Sequence, residues 1–247
     1  MDPALAKRSP PRLADLLDEG PAAIFLDFDG TLVEIAPGPD AIVPRAGLAD
    51  ALRGLSARLG GRLAVISGRA IADMERHVGR LEIAAAGSHG TDIRTASGET
   101  LGERPAGLSE SISTALRGFA EREGLSYEAK PHGGALHYRA APDGGEAANA
   151  FAKALADEHG WQVQGGKDVV ELVAQGASKG RAVDLFMACA PFAGTRPFFI
   201  GDDLTDEAGF RACEAHGGAG IIVGTREPTA ASYRLEGVAD VYSWLDL

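Results

Sequence analysis

The alternation of apolar and polar residues divides the chain into three parts. Up to residue 94, and again from residue 175, short continuous apolar runs alternate with helical patterns. Such runs are typical of strands that are buried on both faces of a parallel sheet. They predict strands at 22–26, 63–66, 83–87, 198–200 and 219–223, followed by an irregular tail. The two outer parts therefore predict one α/β core.

Between these parts the pattern is that of a small mixed unit. Helical patterns at 108–123 and 145–159 alternate with two pairs of short strands. The strand pairs are predicted at 126–130 with 134–140, and at 161–164 with 169–173. This order is typical of an α+β fold with an antiparallel sheet. We therefore predict a parallel-sheet core at residues 1–94 and 175–247, interrupted by an inserted α+β cap at residues 95–174.

The composition narrows the classes of function. A formal net charge of −11 argues against nucleic acid as a partner, because binding a phosphate backbone requires a concentrated basic surface. Cys189 and Cys213 lie in no Cys/His cluster, which argues against a zinc site. No apolar run approaches the roughly 20 residues that cross a membrane, and Asp2, Lys7 and Arg8 interrupt any secretory signal. We therefore expect a cytoplasmic protein that binds neither nucleic acid nor membrane.

Polar segments stand at the ends of three predicted core strands. They are Asp27-Phe28-Asp29-Gly30-Thr31, Ser67-Gly68-Arg69 and Gly201-Asp202-Asp203, and Ser178-Lys179-Gly180 opens the helix before the third strand. Ligands of an open parallel sheet bind beyond the carboxyl ends of its strands. We therefore expect these segments to meet at one edge of the sheet and to form a phosphate site.

The first segment offers two carboxylates that can lean into the same cleft. A carboxylate such as Asp27 can attack phosphorus as a covalent nucleophile, and a second acid, Asp29, can protonate the leaving alcohol. Lys179 offers a positive charge to a phosphate oxygen, while Ser67 and Thr31 offer hydroxyl groups. The Asp-Gly pair in this segment also marks ordinary turns, so the segment alone is not decisive.

The third segment adds further acids at the same predicted edge. Clustered carboxylates at a strand end are costly unless a cation neutralises them. Oxygen ligands beside a phosphate favour Mg²⁺ over softer metals. The alternative is that Asp203 or Asp206 caps the helix that begins near Thr205. We expect a magnesium site that includes Asp202.

In their order along the chain, these segments resemble the four motifs of the haloacid dehalogenase superfamily. The resemblance implies a Rossmann-like core, with the insert in the position of the larger α+β type of cap. It also implies a role for each matching residue: nucleophile and metal ligand for Asp27, general acid/base and metal ligand through its carbonyl group for Asp29, metal ligand for Asp202, support of the metal site for Asp203 and Asp206, and contact with the phosphoryl group for Thr31, Ser67 and Lys179.

Other segments resemble the trehalose-6-phosphate phosphatase family, within a likeness that extends from about residue 22 to residue 245. They lie at 86–90, 136–139, 166–172 and 201–207. The resemblance implies a Mg²⁺-dependent phosphatase that hydrolyses trehalose 6-phosphate, with trehalose-6-phosphate synthase as its functional partner.

The expected contacts with the sugar lie partly in the cap. A disaccharide presents many hydroxyl groups, so its site should carry charged and amide groups that form paired hydrogen bonds. Two of the residues, His137 and Arg139, should share one face of the cap sheet because they are two positions apart. The residues expected to bind substrate are Gly68, Arg69, His89, Lys130, His137, Arg139, Lys167 and Glu171. The alternative for each cap residue is a solvated polar sheet face.

Other functions are compatible with the same motifs. A phosphatase for sucrose 6-phosphate or mannosyl-3-phosphoglycerate would differ in its cap, and a phosphomannomutase would pass the same intermediate to a sugar. The cap hairpin at 130–135 also carries more glycine and less charge than the resemblance leads us to expect. A non-catalytic sugar-phosphate sensor is disfavoured, because the candidate nucleophile, acid, lysine and metal ligand are all present.

Overall fold

The computed structural model describes residues 8–103, 106–166 and 168–247. The strands are β1 (Ala22–Leu26), β2 (Leu63–Ile66), β3 (Ala84–Gly87), β4 (Asp92–Arg94), β5 (Ser126–Lys130), β6 (Gly133–His137), β7 (Trp161–Gly166), β8 (Val169–Ala174), β9 (Arg196–Gly201), β10 (Ala219–Val223) and β11 (Tyr233–Leu235). The α-helices are α1 (Leu13–Asp18), α2 (Leu48–Arg58), α3 (Ile71–Val78), α4 (Glu110–Glu123), α5 (Gly145–His159), α6 (Lys179–Met187), α7 (Glu207–Ala215) and α8 (Val238–Leu245). The chain divides into two compact units, one at residues 103–177 and the other formed by the residues on either side.

The core unit contains one seven-stranded sheet with the strand order β11-β10-β9-β1-β2-β3-β4. Neighbouring strands pair in parallel except for β3 and β4, which are antiparallel. Strand β1 is central, since its Phe25 pairs with Ala64 of β2 and with Phe199 of β9. The predicted α/β class with a parallel-sheet core is confirmed.

The continuous apolar character of β1 follows from burial on both faces of the sheet. Ile24 and Leu26 face one apolar layer, whereas Ala23 and Phe25 face the other. All five residues of the strand are buried. A strand with one face in water would instead alternate apolar and polar residues.

The prediction of an irregular tail after residue 223 was wrong. The chain there forms β11, which extends the parallel sheet, and the helix α8. Val238, Val241, Tyr242 and Leu245 lie at helical spacing and are buried against the core. The Tyr242 hydroxyl donates a hydrogen bond of 2.8 Å to the carbonyl oxygen of Leu32, so the last helix holds the segment that follows β1.

The insert begins later than the predicted residue 95. Residues 95–101 turn back onto β4, where Arg94 and Thr100 form an antiparallel bridge and the Leu101 amide donates to the Ile93 carbonyl oxygen. This local hairpin keeps the segment with the core unit, and the second unit covers residues 103–177 rather than 95–174.

The second unit has a four-stranded antiparallel sheet with the order β5-β6-β8-β7. Helices α4 and α5 pack on one face, and their apolar side chains join those of the sheet in a separate core that includes Leu116, Leu136 and Leu172. Phe119 of α4 stacks on Phe151 of α5 with ring centroids 4.2 Å apart. In the part of the chain that the structure describes, no helix combines the length and the apolar character needed to cross a membrane.

Candidate active site

The candidate catalytic residues of the core lie at the carboxyl ends of neighbouring strands. Asp27 directly follows β1, Ser67 follows β2 and Asp202 follows β9. Because β2 and β9 flank β1 in the sheet, the three strand ends lie side by side. Lys179 enters the same region as the first residue of α6, which Ser178 caps by accepting a hydrogen bond from the Arg181 amide.

A buried lysine links two of the acids. The Lys179 Nζ lies 2.7 Å from Asp27 Oδ1 and 2.6 Å from Asp206 Oδ1. All three side chains are almost fully buried. The second oxygen of Asp206 accepts a hydrogen bond of 2.9 Å from the Asp203 amide. Asp206 is therefore fixed from both sides, and it holds Lys179 beside the candidate nucleophile.

Two glycines allow the acids to lie against the backbone. Gly30 has φ +74°, and a Cβ added to it would lie 2.2 Å from Asp202 Oδ2. A Cβ on Gly201 would lie 2.3 Å from the Asp206 carboxyl carbon. Distances this short are far inside van der Waals contact, so a side chain at either position would displace a carboxylate. The absence of a side chain at Gly30 and Gly201 therefore allows the carboxylates of Asp202 and Asp206 to occupy their positions.

Burial, and then the charges of their neighbours, shift the pKa values of the acids. Burial raises the pKa of Asp27 well above its usual value, the charge of Asp206 raises it further, and Lys179 opposes both. Burial, followed by the charge of Asp206, raises the pKa of Asp202 to about 7. Burial also raises the pKa of Asp206, against the attraction of Lys179. Burial alone would lower the pKa of Lys179, but Asp206 and Asp27 together raise it above its ordinary value.

The acid cluster has the chemistry of a site for a hard divalent cation. Asp27, Asp202 and Asp206 each contribute a carboxylate oxygen, and these oxygens lie within 4.8 Å of one another. The Asp202 Oδ1 atom is buried and accepts no hydrogen bond from any described residue. An unpartnered buried carboxylate oxygen is costly in a protein interior, and a cation would relieve that cost. The donor set therefore fits Mg²⁺, which prefers oxygen ligands.

Asp203 has a structural role at the same turn. Its carboxylate accepts a hydrogen bond of 2.7 Å from the Leu204 amide, and its own amide donates one of 2.9 Å to the Asp206 carboxylate. The two residues form a capping box around the turn at Leu204–Asp206 that leads into α7. Capping and support of a metal site are compatible, because the cap fixes the carboxylate of Asp206.

Two hydroxyl groups offer contacts to a phosphoryl group. Thr31 is completely buried, and its hydroxyl oxygen has no hydrogen-bond partner among the described residues. Ser67 is also buried and accepts a hydrogen bond of 3.1 Å from the Arg69 amide, which leaves its own hydroxyl hydrogen to donate elsewhere. Buried hydroxyls with spare hydrogen-bonding capacity suit an oxyanion ligand.

Asp29 forms a bidentate ion pair with Arg69. The Arg69 Nε and Nη2 atoms donate to the two oxygens of Asp29 at 2.7 and 2.8 Å, and Nη1 donates to Asp73 at 2.9 Å. Both carboxylate oxygens of Asp29 are therefore engaged by Arg69, which itself is held between Asp29 and Asp73.

His89 lies in a strained turn directly after β3. Ser88 and His89 have φ values of +49° and +56°, in a region that residues other than glycine rarely adopt. A Cβ on Gly68 would lie 2.5 Å from His89 Cε1, and a Cβ on Gly90 would lie 2.3 Å from the Ser178 carbonyl oxygen. The turn is thus wedged between the end of β2 and the start of α6, and such strain often accompanies a functional site.

The face of the cap sheet opposite α4 and α5 carries a cluster of polar side chains. The register places Glu128 of β5 and Glu171 of β8 in line, each paired with Ala135 of β6. Lys130 Nζ lies 2.5 Å from Glu171 Oε1, and His137 Nε2 lies 2.8 Å from Glu128 Oε2. The hydrogen bond from His137 lowers the pKa of Glu128 despite partial burial.

The remaining cap residues have different surroundings. Arg139 lies beyond the end of β6 rather than on the sheet face with His137, and its Nε is 3.4 Å from Asp168 Oδ2. Lys167 lies outside the described residues.

Two further polar residues on the same face, Glu128 and Gln164, were not predicted from the sequence. Glu128 lies two positions before Lys130 on one strand, so the alternation of side chains could have indicated it. Gln164 pairs in register with Glu171, and its amide oxygen is buried without a hydrogen-bond partner among the described residues. The position of Gln164 depends on strand pairing, which the sequence alone does not reveal.

Comparison with known proteins gives one consistent family. A family model described as trehalose-phosphatase matches residues 25–239. The trehalose-6-phosphate phosphatase of Escherichia coli is 40% identical over 230 residues, which cover 91% of this chain and 85% of that protein. A probable trehalose-phosphate phosphatase of Sinorhizobium fredii is 36% identical over 211 residues, which cover 84% and 80%. The C-terminal domain of the C. albicans trehalose-6-phosphate phosphatase matches the fold, with a TM-score of 0.79 at 23% identity over 97% of this chain and 96% of that chain.

The raised pKa of Asp202 predicts how the stability of the metal-free protein depends on pH. A carboxyl group whose pKa is raised in the folded protein binds its proton more tightly there than in the unfolded chain. The bound proton therefore stabilises the fold below about pH 4, the ordinary pKa of an aspartate. This stabilisation is lost as the pH rises through the pKa of the folded protein. That value is about 7 for Asp202. In EDTA, we expect the wild-type unfolding temperature to fall more than that of Asp202→Asn as the pH rises from about 4 to about 7.

Thermal denaturation of both proteins across this range measures the difference. Asp18→Asn, which changes an exposed carboxylate on α1, should follow the wild-type curve. Parallel curves for the wild type and Asp202→Asn would contradict the prediction, whereas added Mg²⁺ should reduce the wild-type loss.

Proposed function

Because the chain belongs to the trehalose-phosphatase family, we propose that it hydrolyses trehalose 6-phosphate to trehalose and phosphate through an aspartyl-phosphate at Asp27. The observation that carries this proposal is the buried contact between Asp27 and Lys179, with the carboxylates of Asp202 and Asp206 beside it. A nucleophilic carboxylate that is compensated by a fixed cation suits attack on a phosphate ester.

In the first step, an oxygen of Asp27 attacks phosphorus as the bond from phosphorus to the sugar oxygen breaks. Asp29 donates its proton to that sugar oxygen, and trehalose leaves. In the second step, water attacks the phosphorus of the aspartyl-phosphate while Asp29 accepts a proton from it. Phosphate then leaves, and the Asp27 carboxylate is restored.

The neighbouring groups orient the phosphoryl group and balance its charge. The Lys179 ammonium and the hydroxyls of Thr31 and Ser67 would bind phosphoryl oxygens, and their burial strengthens these contacts. Asp27, Asp202 and the carbonyl group of Asp29 would hold Mg²⁺. When bound, the cation would supply neutralisation of the negative charge that develops during transfer.

Asp29 forms an ion pair with Arg69 in the protein without substrate. Both oxygens of Asp29 accept hydrogen bonds from Arg69, so we propose that the anionic substrate competes for Arg69 and frees Asp29 to reach the leaving group. Gly68 and His89 lie next to Arg69 along the site and remain proposed substrate contacts. Asp29 would then become available as the proton donor only when substrate occupies the site.

The polar face of the cap sheet is the proposed site for the sugar. Glu128, Lys130, His137 and Glu171 form two charged pairs there, and such groups can form paired hydrogen bonds with sugar hydroxyls. Gln164 would add its amide, whose oxygen is available. Arg139 and Lys167 remain proposed substrate contacts.

Selectivity for trehalose 6-phosphate over other sugar esters belongs to the same proposal. A phosphatase for sucrose 6-phosphate, or a phosphomutase, would use the same core residues. We further propose that a trehalose-6-phosphate synthase is the functional partner, because an enzyme that forms the phosphorylated disaccharide has to supply the substrate. The cytoplasm is the proposed place of both reactions.

Replacement of the nucleophile is expected to abolish turnover. Asp27→Asn should lower phosphate release by roughly 10⁴-fold or more, because no covalent intermediate can form. Release is measured with trehalose 6-phosphate, sucrose 6-phosphate, glucose 6-phosphate and p-nitrophenyl phosphate, with Mg²⁺ and with EDTA. The wild type should prefer trehalose 6-phosphate and require Mg²⁺.

The matched control is Asp18→Asn, which should keep full activity. Substantial activity of a folded Asp27→Asn protein would contradict the mechanism. Wild-type hydrolysis of other esters, but not of trehalose 6-phosphate, would contradict the substrate and leave the chemistry standing.

The role of Asp29 predicts a dependence on the leaving group. Asp29→Asn should slow hydrolysis of trehalose 6-phosphate by about 10²- to 10⁴-fold, the usual contribution of a general acid. The loss should be much smaller for formation of the intermediate from p-nitrophenyl phosphate, because p-nitrophenolate leaves without protonation. Rapid-quench kinetics of the first turnover measures this difference.

Asp73→Asn is the matched control, since Asp73 binds Arg69 from the other side. It should leave the ratio of the two first-turnover rates unchanged. Equal losses on both esters in Asp29→Asn would indicate that Asp29 acts only through structure.

The cap contributes recognition rather than chemistry in this proposal. Lys130→Gln should raise the KM for trehalose 6-phosphate by about 10- to 100-fold, because hydrogen bonds to charged groups contribute about 1.5–3 kcal/mol. Its KM for p-nitrophenyl phosphate should stay near the wild-type value. Steady-state kinetics on both substrates measures the effect.

Lys153→Gln is the matched control, because Lys153 forms an exposed ion pair with Asp157 on α5. An unchanged KM for trehalose 6-phosphate in Lys130→Gln would remove this residue from the sugar site.

A further inference from the structure

Arg226 ties together the backbone segments around the candidate metal site. It lies in the loop after β10, and its side chain is partly buried, with 25% exposed. Nε donates to the Asp202 carbonyl oxygen at 3.2 Å, Nη2 donates to the Asp203 carbonyl oxygen at 3.2 Å and to Glu207 Oε1 at 2.5 Å, and Nη1 donates to the Pro228 carbonyl oxygen at 3.1 Å. All three guanidinium nitrogens are therefore used.

The two aspartate carbonyls lie where the chain leaves the sheet. Strand β9 ends at Gly201, so Asp202 is beyond the hydrogen bonds of the strand ladder. Among the described residues, the Asp202 carbonyl oxygen accepts a hydrogen bond from Arg226 alone. Without this donor, the peptide group between Asp202 and Asp203 would keep only the hydrogen bond from the Asp203 amide to Asp206 Oδ2.

Glu207 holds Arg226 in place. Its Oε1 accepts from Arg226 and its Oε2 accepts from the Ala230 amide at 2.8 Å. Burial would raise the pKa of Glu207, but the bonds from Arg226 and Ala230 hold it below its usual value. Glu207 is the first residue of α7, so the helix start anchors the guanidinium that contacts the end of β9.

Besides a hydrogen bond with its own backbone, the Asp202 carboxylate has no restraint comparable to that of Asp206. Its Oδ1 is buried without a hydrogen-bond partner among the described residues, and Gly30 lies against its Oδ2. The orientation of the carboxylate therefore depends on the backbone of Asp202, which Arg226 holds together with the hydrogen bond from the Asp203 amide to Asp206. Groups that orient a metal ligand in this way change metal affinity without touching the metal.

We propose that Arg226 is a positioning residue that fixes the Asp202 carboxylate for a divalent cation by holding the carbonyl groups of Asp202 and Asp203. This inference rests on the metal site of the proposed function. Arg226 contacts neither the substrate nor the reacting atoms. Its guanidinium fork suits the task, because it reaches two successive carbonyls and a carboxylate together.

The test compares Mg²⁺ binding by metal-free proteins in the absence of substrate. Isothermal titration calorimetry should give a Kd for Arg226→Gln that is about 10- to 100-fold above the wild-type value. Arg226→Lys should fall between the two, because an ammonium group keeps the charge but not the fork. Arg211→Gln is the matched control: Arg211 also approaches Glu207, at 3.8 Å, but is mostly exposed and should bind Mg²⁺ as the wild type does.

Kinetics separates positioning from general loss of structure. In Arg226→Gln, the Mg²⁺ concentration for half-maximal activity should rise with the Kd, while kcat at saturating Mg²⁺ and the KM for the sugar phosphate stay near wild type. A wild-type Kd in folded Arg226→Gln overturns the proposal. Should that variant fail to fold, a wild-type Kd in Arg226→Lys overturns it equally.

The two proposals fail in different ways. A wild-type protein that binds Mg²⁺ but hydrolyses no ester overturns the proposed function, while a raised Kd in Arg226→Gln would still support the positioning role. A wild-type protein that hydrolyses trehalose 6-phosphate, together with unchanged Mg²⁺ binding in Arg226→Gln, overturns the positioning role alone. Absence of Mg²⁺ binding by the wild type overturns both.

Discussion

The ammonium group of Lys179 lies between the buried carboxylates of Asp27 and Asp206, and the rest of the candidate active site is arranged around these contacts. Removal of ionised groups from water costs several kcal/mol per ion unless they are paired. One ammonium does not balance these two acids together with Asp202. In the metal-free protein, burial and then the charge of Asp206 raise the pKa of Asp202 to about 7, so that a bound proton relieves part of the excess. A divalent cation would offset the same excess of negative charge and leave the nucleophile, Asp27, unprotonated.

The fold keeps this charge cluster compact. Strands β2 and β9 flank β1, so residues distant in the sequence reach one edge of the sheet. Gly30 and Gly201 then remove the atoms that would separate the backbone from Asp202 and Asp206. The helix α8 adds a restraint from another side, because Tyr242 binds the carbonyl group of Leu32 just beyond the Asp27 segment. A site of high charge density is thus built from a rigid frame.

The core and its candidate catalytic residues could be predicted because their signals are local. An apolar run that ends in an acid marks both a buried strand and its functional end, as in the segment from β1 to Asp27. The cap contacts were harder to predict. Glu128 and Gln164 share a face with Glu171 only through the register of three strand pairings. Arg226 gave no sequence signal, because its partners are carbonyl groups that any residue could supply. The helix α8 was missed although its apolar spacing was present, since β11 before it is only three residues long.

The position of β9 beside β1 has a consequence for the growth of the chain on the ribosome. Ala22 pairs with Arg196, so the central strand lacks one neighbour until most of the protein has been synthesised. The sheet of the insert, by contrast, is complete in sequence at Ala174. A nascent chain therefore presents an open apolar strand edge during most of translation, and such edges pair readily with other chains. The insertion that separates β4 from β9 lengthens this interval, so the yield of folded protein depends on protection of β1 until its partner emerges.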